Sequence, residues 1–249
     1  MPKSRQPDSS VRIRSFGVTF PAGMGPPAMV GANSEWHQLI YATRGAMTVH
    51  TDRGAWVVPP HRAVWIPAGW NFRLEMTGEV ALRMLYVAKN APMNRDMAGW
   101  KACATECAVV NITPLLRELI VRVNLIGALD DEIPEQRRLM GVVFDELRVM
   151  TTVPLQLPMP RDPRALRFAK SLAFKKAGAS RRTLERIFRA ETGMSLGQWL
   201  RRQKLLEALR RLAAGEAVNA VALELGYNSA SAFIAMFRRE LGHTPTRYW

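Results

Sequence analysis

In KKAGASRRTLERIFRAETG, residues 175–193, Arg182, Glu185, Arg186 and Arg189 recur at helical spacing. Leu184, Ile187 and Phe188 take the opposite side. A guanidinium presents parallel donors that match guanine O6 and N7, and a carboxylate accepts from the cytosine amino group. Arg186 suits the first role and Glu185 the second. A turn at Gly178 and a serine cap at Ser180 would open such a helix. A solvated basic face on an ordinary helix has the same pattern.

A second candidate surface lies in VNAVALELGYNSASAFIAMFRRELGHTPTRYW. Val218, Val221, Ala222 and Leu225 form one apolar helix face, Gly226 a turn, and Ser229 an N-cap. The next helix has Phe233, Met236, Phe237 and Glu240 on its inner side. Two helices crossing steeply at a short turn need a small residue at closest approach, which Ala222 supplies, and a glycine at the turn. Leu225 is expected to plug the core. The outward edge carries Ser231, Ile234, Ala235 and Arg238. Alanine and isoleucine can meet thymine methyls, serine can donate or accept, and Arg238 can reach a phosphate or guanine.

Charge points the same way. The chain has 249 residues and a net charge of +14. From Arg161 onward there are 18 Lys and Arg against 7 Asp and Glu, a net +11, which leaves +3 for residues 1–160. A basic domain beside a nearly balanced one implies an anionic partner, most often double-stranded nucleic acid. No apolar run approaches the ~20 residues that span a bilayer, so no membrane partner is expected. Two cysteines, Cys103 and Cys107, argue for free thiols in a cytoplasmic protein. No nucleophile–base pair, phosphate-binding glycine loop or metal cluster is visible, so no catalysis and no cofactor are expected.

The elements that must position these residues divide the chain. Over 11–88, short runs rich in Val, Ile, Thr, Trp and Tyr alternate with Gly and Pro breaks, as in an antiparallel sandwich or barrel. Two amphipathic helices follow over 108–150. Thr113 can cap the first, with Leu115, Leu119, Arg122 and Ile126 on one side. Leu139, Val142, Val143, Leu147 and Met150 stripe the second. They can be plain core, or pair two copies of the chain through 112–150. TTVPLQLPMPRDP, 151–163, is the expected linker, and 164–249 reads as helical throughout.

The segment from GMSLGQWL to TPTRYW, with AVALELGY and SAFIAMFRRELG between, resembles the C-terminal domain of AraC/XylS-family transcription regulators. The resemblance implies two helix-turn-helix units joined by a long helix, here about 197–213, that enter successive major grooves with helices 181–192 and 229–241. It implies base reading by Arg182, Glu185 and Arg186 in the first unit. Arg181, Arg189 and Arg239 then stand as phosphate neighbours. Arg201, Arg202, Lys204, Arg210 and Arg211 of the long helix are phosphate contacts or solvated charges. The chain departs from the family where the first scaffold helix belongs. Only RALRFAKSLAFKK precedes Gly178, with a bulky Phe174 where the second unit has Ala222 and a small Ala177 where it has Leu225. The first unit is therefore expected to be absent, loosened or repacked by 164–176, with specific affinity reduced.

WHQLIYATRGAMTV, WVVPPHRAVWIPAG and LRMLYV resemble the cupin-like sensor domain found at the N-terminus of many such regulators. A small-molecule effector would then lie among Trp36, His37, Tyr41, Trp56, Trp65 and Tyr86, although aromatics in such strands are more often core. A cupin metal needs three converging ligands. His37, His50 and His61 include no His-x-His, and Asn71-Phe72 stands where a histidine is common, so no metal is expected. The expected architecture is α+β: a cupin-like antiparallel barrel over 11–107, connector helices over 108–150, a linker over 151–163 and an all-α helix-turn-helix domain over 164–249. Two rival expectations are a cupin-type binding module with impaired DNA reading and a cupin metalloenzyme.

Overall fold

The computed structural model describes residues 10–21, 29–32, 35–52, 54–59, 62–92, 105–149 and 155–248. It resolves into two compact units, one formed by residues 1–51 and 58–153 and the other by 52–57 and 154–249.

The first unit carries an antiparallel sheet in the order β8-β1-β6-β3-β5-β7-β9, with β2 also on β6. The strands are β1 (Val11–Phe20), β2 (Met29–Ala32), β3 (Trp36–Thr51), β5 (Arg62–Ile66), β6 (Asn71–Ala88), β7 (Ala108–Asn111), β8 (Ala128–Asp130) and β9 (Arg148–Val149). The long β3–β6 pair is its spine and shifts register between Ala42 and Ala46, where Gly45 has a φ of 77°. Side chains alternate between faces along a strand. Ile13, Leu39, Tyr41, Ala63, Trp65, Leu85 and Val87 therefore share one face.

Helices α1 (Pro114–Ile126) and α2 (Pro134–Glu146) cover that face and join its core through Leu116, Ile120, Val123, Met140, Val143 and Phe144. Thr113 caps α1, its hydroxyl accepting from the Leu116 amide at 3.0 Å. Residues 108–150, expected as a connector, thus share the core of the β domain and supply three of its strands. The buried stripe of α1 also differs from the expected one. Leu119 and Ile126 are only flanks, Leu115 is 52% exposed and Leu125 76% exposed. LLRELIVRVNLI is apolar on more than half its circumference, so periodicity left two adjacent stripes available and packing chose between them. On α2, Met140 and Phe144 replace Val142, which is exposed. Met150 lies outside the described residues.

The second unit opens with β4 (Gly54–Val58), whose residues 54–56 pair antiparallel with β10 (Gln156–Pro158). The expected linker therefore contains a strand, with Leu155 and Leu157 buried. Seven helices follow: α3 (Pro163–Ser171), α4 (Phe174–Ala177), α5 (Arg181–Thr192), α6 (Leu196–Ala213), α7 (Val218–Glu224), α8 (Ala230–Leu241) and α9 (Pro245–Tyr248). The long helix α6 opens on a capping box between Ser195 and Gln198. Its buried face of Trp199, Leu205, Leu206, Ala208, Leu209 and Leu212 is the central wall of the unit.

Large-to-small changes in a packed core cost about 2–5 kcal/mol, while exposed sites usually stay within about 0.5 kcal/mol. In urea unfolding followed by tryptophan fluorescence, Leu116→Ala is expected to destabilise the first unit by the larger amount and Leu125→Ala by the smaller. The reverse order would move the core to the stripe read from periodicity.

Candidate nucleic-acid interface

Both reading candidates sit on helices whose other face is buried. On α5, Ser180 accepts from the Thr183 amide and Gly193 ends the helix in the left-handed region. Leu184, Ile187 and Phe188 are buried, and Arg181, Arg182, Glu185, Arg186 and Arg189 are exposed. Arg181 Nε donates to Glu185 Oε1 at 3.0 Å, an i,i+4 pair in water. Glu185 is therefore already paired with its neighbour.

The scaffold of this unit is reduced to a single turn and repacked. Helix α4 has four residues, and α3 stands ahead of it. Phe174 does not fill the close-approach point. It turns outward, 43% exposed, with its ring 4.8 Å from that of Phe168. Ala177 is the buried residue beside the turn. Phe168 meets Phe188 at 5.9 Å, and Phe188 meets Trp199 at 5.1 Å. Trp199 Nε1 donates to the Pro158 carbonyl at 2.8 Å.

Three polar contacts that sequence reading missed hold this compact arrangement. Glu191 Oε2 on α5 accepts from the Arg161 and Asp162 amides at 2.6 and 3.0 Å. Arg167 Nη2 donates to the Ala177 carbonyl at 3.1 Å. Asp162 caps α3, accepting from the Arg164 amide at 2.8 Å and from the Arg164 guanidinium. Asp162 is legible in hindsight, since Asp-Pro before an apolar period is a helix-start signal. The other two join residues 10 to 30 apart and have no local signature.

In the second helix-turn-helix unit, Val221 and Ala222 of α7 and Phe233, Met236 and Phe237 of α8 are all buried. Ser229 accepts from the Ala232 amide, and Gly226 turns with a φ of 76°. Two expected positions differ. Leu225 is only half-buried, and its carbonyl accepts from Lys204 Nζ at 2.8 Å. Glu240 is exposed rather than inward, close to Arg239 at 3.4 Å. Ser231, Ile234, Ala235 and Arg238 line one open groove of about 600 Å³, together with Arg239 and Thr244.

The basic residues of α6 do not share one role. Arg201 is exposed. Arg202 is half-buried, and desolvation lowers its pKa against the pull of Glu240. Lys204 is committed to the Leu225 carbonyl and lies over the Tyr227 ring at 5.7 Å. Arg210 pairs with Glu207 at 3.2 Å. Arg211 binds Glu207 at 3.0 Å, Glu216 at 3.4 Å and Glu224, and these hydrogen bonds raise its pKa. Lys204, Arg210 and Arg211 are thus half-buried and paired within the protein.

The six aromatic-pocket candidates of the β domain do not form one wall. Tyr41 and Trp65 belong to the core under α1 and α2, and His37 stacks on Trp65 at 5.1 Å. Trp36 and Tyr86 lie on the opposite sheet face, with Arg14 over the Trp36 ring at 5.1 Å. Trp56 is buried in β4, in the other unit. Alternation along the strands separates these residues, although they lie close in sequence.

The histidines do not fit a cupin metal. His37 Nδ1 accepts from the Ala68 amide at 3.1 Å, His50 pairs with Glu75 at 2.8 Å, and His61 lies outside the described residues. No group of three or more His, Cys, Asp or Glu converges among the described residues. No helix among them is long and apolar enough to cross a membrane.

An antiparallel β domain followed by two helix-turn-helix units on one long helix defines a two-domain DNA-binding regulator. Residues 174–249 match a helix-turn-helix domain family. The HTH-type transcriptional regulator NimR of Escherichia coli K12 is 35% identical over 223 residues, covering 85% of this chain and 78% of that protein. The regulatory protein SoxS of Salmonella typhimurium is 40% identical over 75 residues, 30% of this chain and 70% of its own. ToxT of Vibrio cholerae aligns over 98% of both chains at 10% identity and a TM-score of 0.34, too distant to define either unit. The chain belongs to the AraC/XylS family of transcription regulators.

The Arg164 hydrogen bond holds the Asp162 carboxyl at about 2, below its ordinary 3.8. A folded-state value below the unfolded one means this cap contributes fully above about 3.8 and is lost as pH falls toward 2. A carbon-detected NMR titration should place the Asp162 midpoint near the lower value. Arg164→Ala should return it toward the ordinary one.

Proposed function

We propose that this regulator reads successive major grooves with α5 and α8. Arg182, Glu185 and Arg186 contact bases in one groove, and Ser231, Ile234, Ala235 and Arg238 in the next. Arg181, Arg189, Arg201, Arg202 and Arg239 neutralise phosphates. The observation that carries this reading is the division of α8. Its inner face is dry, and all four outer candidates line one open groove. Regulation in the cytoplasm without catalysis is part of the reading, as the relatives are transcription regulators. The β domain serves as sensor, and its Trp36–Tyr86 face, not the Tyr41–Trp65 face, takes the small-molecule effector.

A duplex selected from a random library by the unmodified chain can be compared with a scrambled duplex by fluorescence anisotropy across salt concentrations. A bidentate base contact is worth about 1–3 kcal/mol of discrimination. Arg186→Ala and Arg238→Ala should each lower the selected-to-scrambled ratio by that amount. Arg201→Ala should weaken both duplexes alike and reduce the salt slope by about 1. Equal weak binding of both duplexes by the unmodified chain would favour the impaired binding module.

We also propose that two copies pair through 112–150. Leu115, Val121 and Leu125 are exposed on the outer side of α1, and Val142 is exposed on α2. Sedimentation at micromolar concentration should give a dimer that Leu125→Asp converts to monomer. A monomeric unmodified chain would reject pairing.

A further inference from the structure

The two helix-turn-helix units have different sequences and different scaffold lengths, yet they share one polar device. A helix that stops at a tight turn leaves its last carbonyls without amide partners. In the first unit the carbonyl beside the turn glycine is that of Ala177, and it accepts from Arg167 on α3. In the second it is that of Leu225, and it accepts from Lys204 on α6. Each cation comes from the helix that precedes the short scaffold helix, α3 or α6, and each meets a carbonyl at the C-terminal end of that scaffold. A Cβ added at Gly178 would stand 3.5 Å from Arg167 Nη2, and one at Gly226 would stand 3.8 Å from Lys204 Nζ. The cationic heads therefore lie directly against turns whose glycines have φ of 66° and 76°.

The reading helix starts two residues after Gly178 at the Ser180 cap and three after Gly226 at the Ser229 cap. Over so short a span the conformation of the turn sets the direction and rotation of the helix that follows. We infer that Arg167 and Lys204 are positioning residues, cationic clamps that aim α5 and α8, and that neither binds phosphate. The inference rests on the proposal that these helices enter major grooves. The Tyr227 ring under Lys204 gives the second clamp an extra wall. In the first unit Arg167 does part of the work of the missing scaffold length, since α4 offers a single turn to hold.

The test uses the full chain, a duplex selected from a random library by the unmodified chain, and a scrambled duplex. Lys204→Met and Arg167→Met should each lower the selected-to-scrambled ratio by at least about tenfold, with the salt slope on scrambled duplex unchanged. Lys204→Arg and Arg167→Lys should restore the ratio to within about threefold, because each keeps a charged donor for the carbonyl. Uniform weakening with a slope smaller by about 1 would identify phosphate contacts and overturn the clamps. An unchanged ratio would overturn them as well. If a methionine chain does not fold, Lys204→Gln and Arg167→Gln replace it, with the same loss expected in part and an unchanged ratio again overturning the clamp. An unmodified chain that fails to discriminate rejects the two-groove proposal and the clamps with it. Discrimination that survives in the substituted chains rejects the clamps alone.

Discussion

The ring of Phe188, packed between Phe168 and Trp199, is the contact on which the first reading unit depends. A helix that reads DNA must leave one face empty for the duplex, so all of its stability comes from the other face. Helix α5 has three buried side chains for that purpose, and Phe188 is the largest. With Phe168 contributed by α3 and Trp199 by α6, the aromatic contacts replace area that a longer scaffold helix would have buried. Trp199 then ties the cluster to β10 through the Pro158 carbonyl.

Charge is sorted by the same geometry. Arg211 sits among three carboxylates, and Arg210, Lys204 and Arg167 have partners within the protein. Arg167 and Lys204 satisfy carbonyls at helix ends, Arg211 joins α6 to α7 through Glu224, and Arg210 pairs with Glu207 within α6. Arg182, Arg186, Arg189 and Arg201 are exposed on helix surfaces, where their fields add outward. A net basic charge counts both groups alike. The surface available to a polyanion is smaller than that count suggests.

The β domain shows a related economy. Strand β3 is buried on both faces from Trp36 to Ala42, with Tyr41 and Leu39 under the helices and Ile40 and Ala42 opposite. Covering one face consumes α1 and α2. These helices are therefore part of the domain, and only their outer stripes are free to meet another surface.

The sequence by itself determined the division into a strand-rich part followed by helices, the position of the second helix-turn-helix unit, its Ser229 and Gly226 signals, and the Thr113 and Ser180 caps. These follow from local rules in which each residue acts within one turn of itself. It also determined the buried sides of α5 and α8, because Leu184, Ile187 and Phe188 and then Phe233, Met236 and Phe237 fall at helical spacing. Tertiary structure alone decided the stripe that α1 buries, since its apolar residues cover two adjacent faces. It alone placed Trp56 in the other unit, turned Phe174 outward onto Phe168, and gave Lys204 the Leu225 carbonyl and Arg211 the Glu224 carboxylate as partners. Each of these outcomes depends on a partner in another element, and the pattern of residues along the chain does not specify that partner.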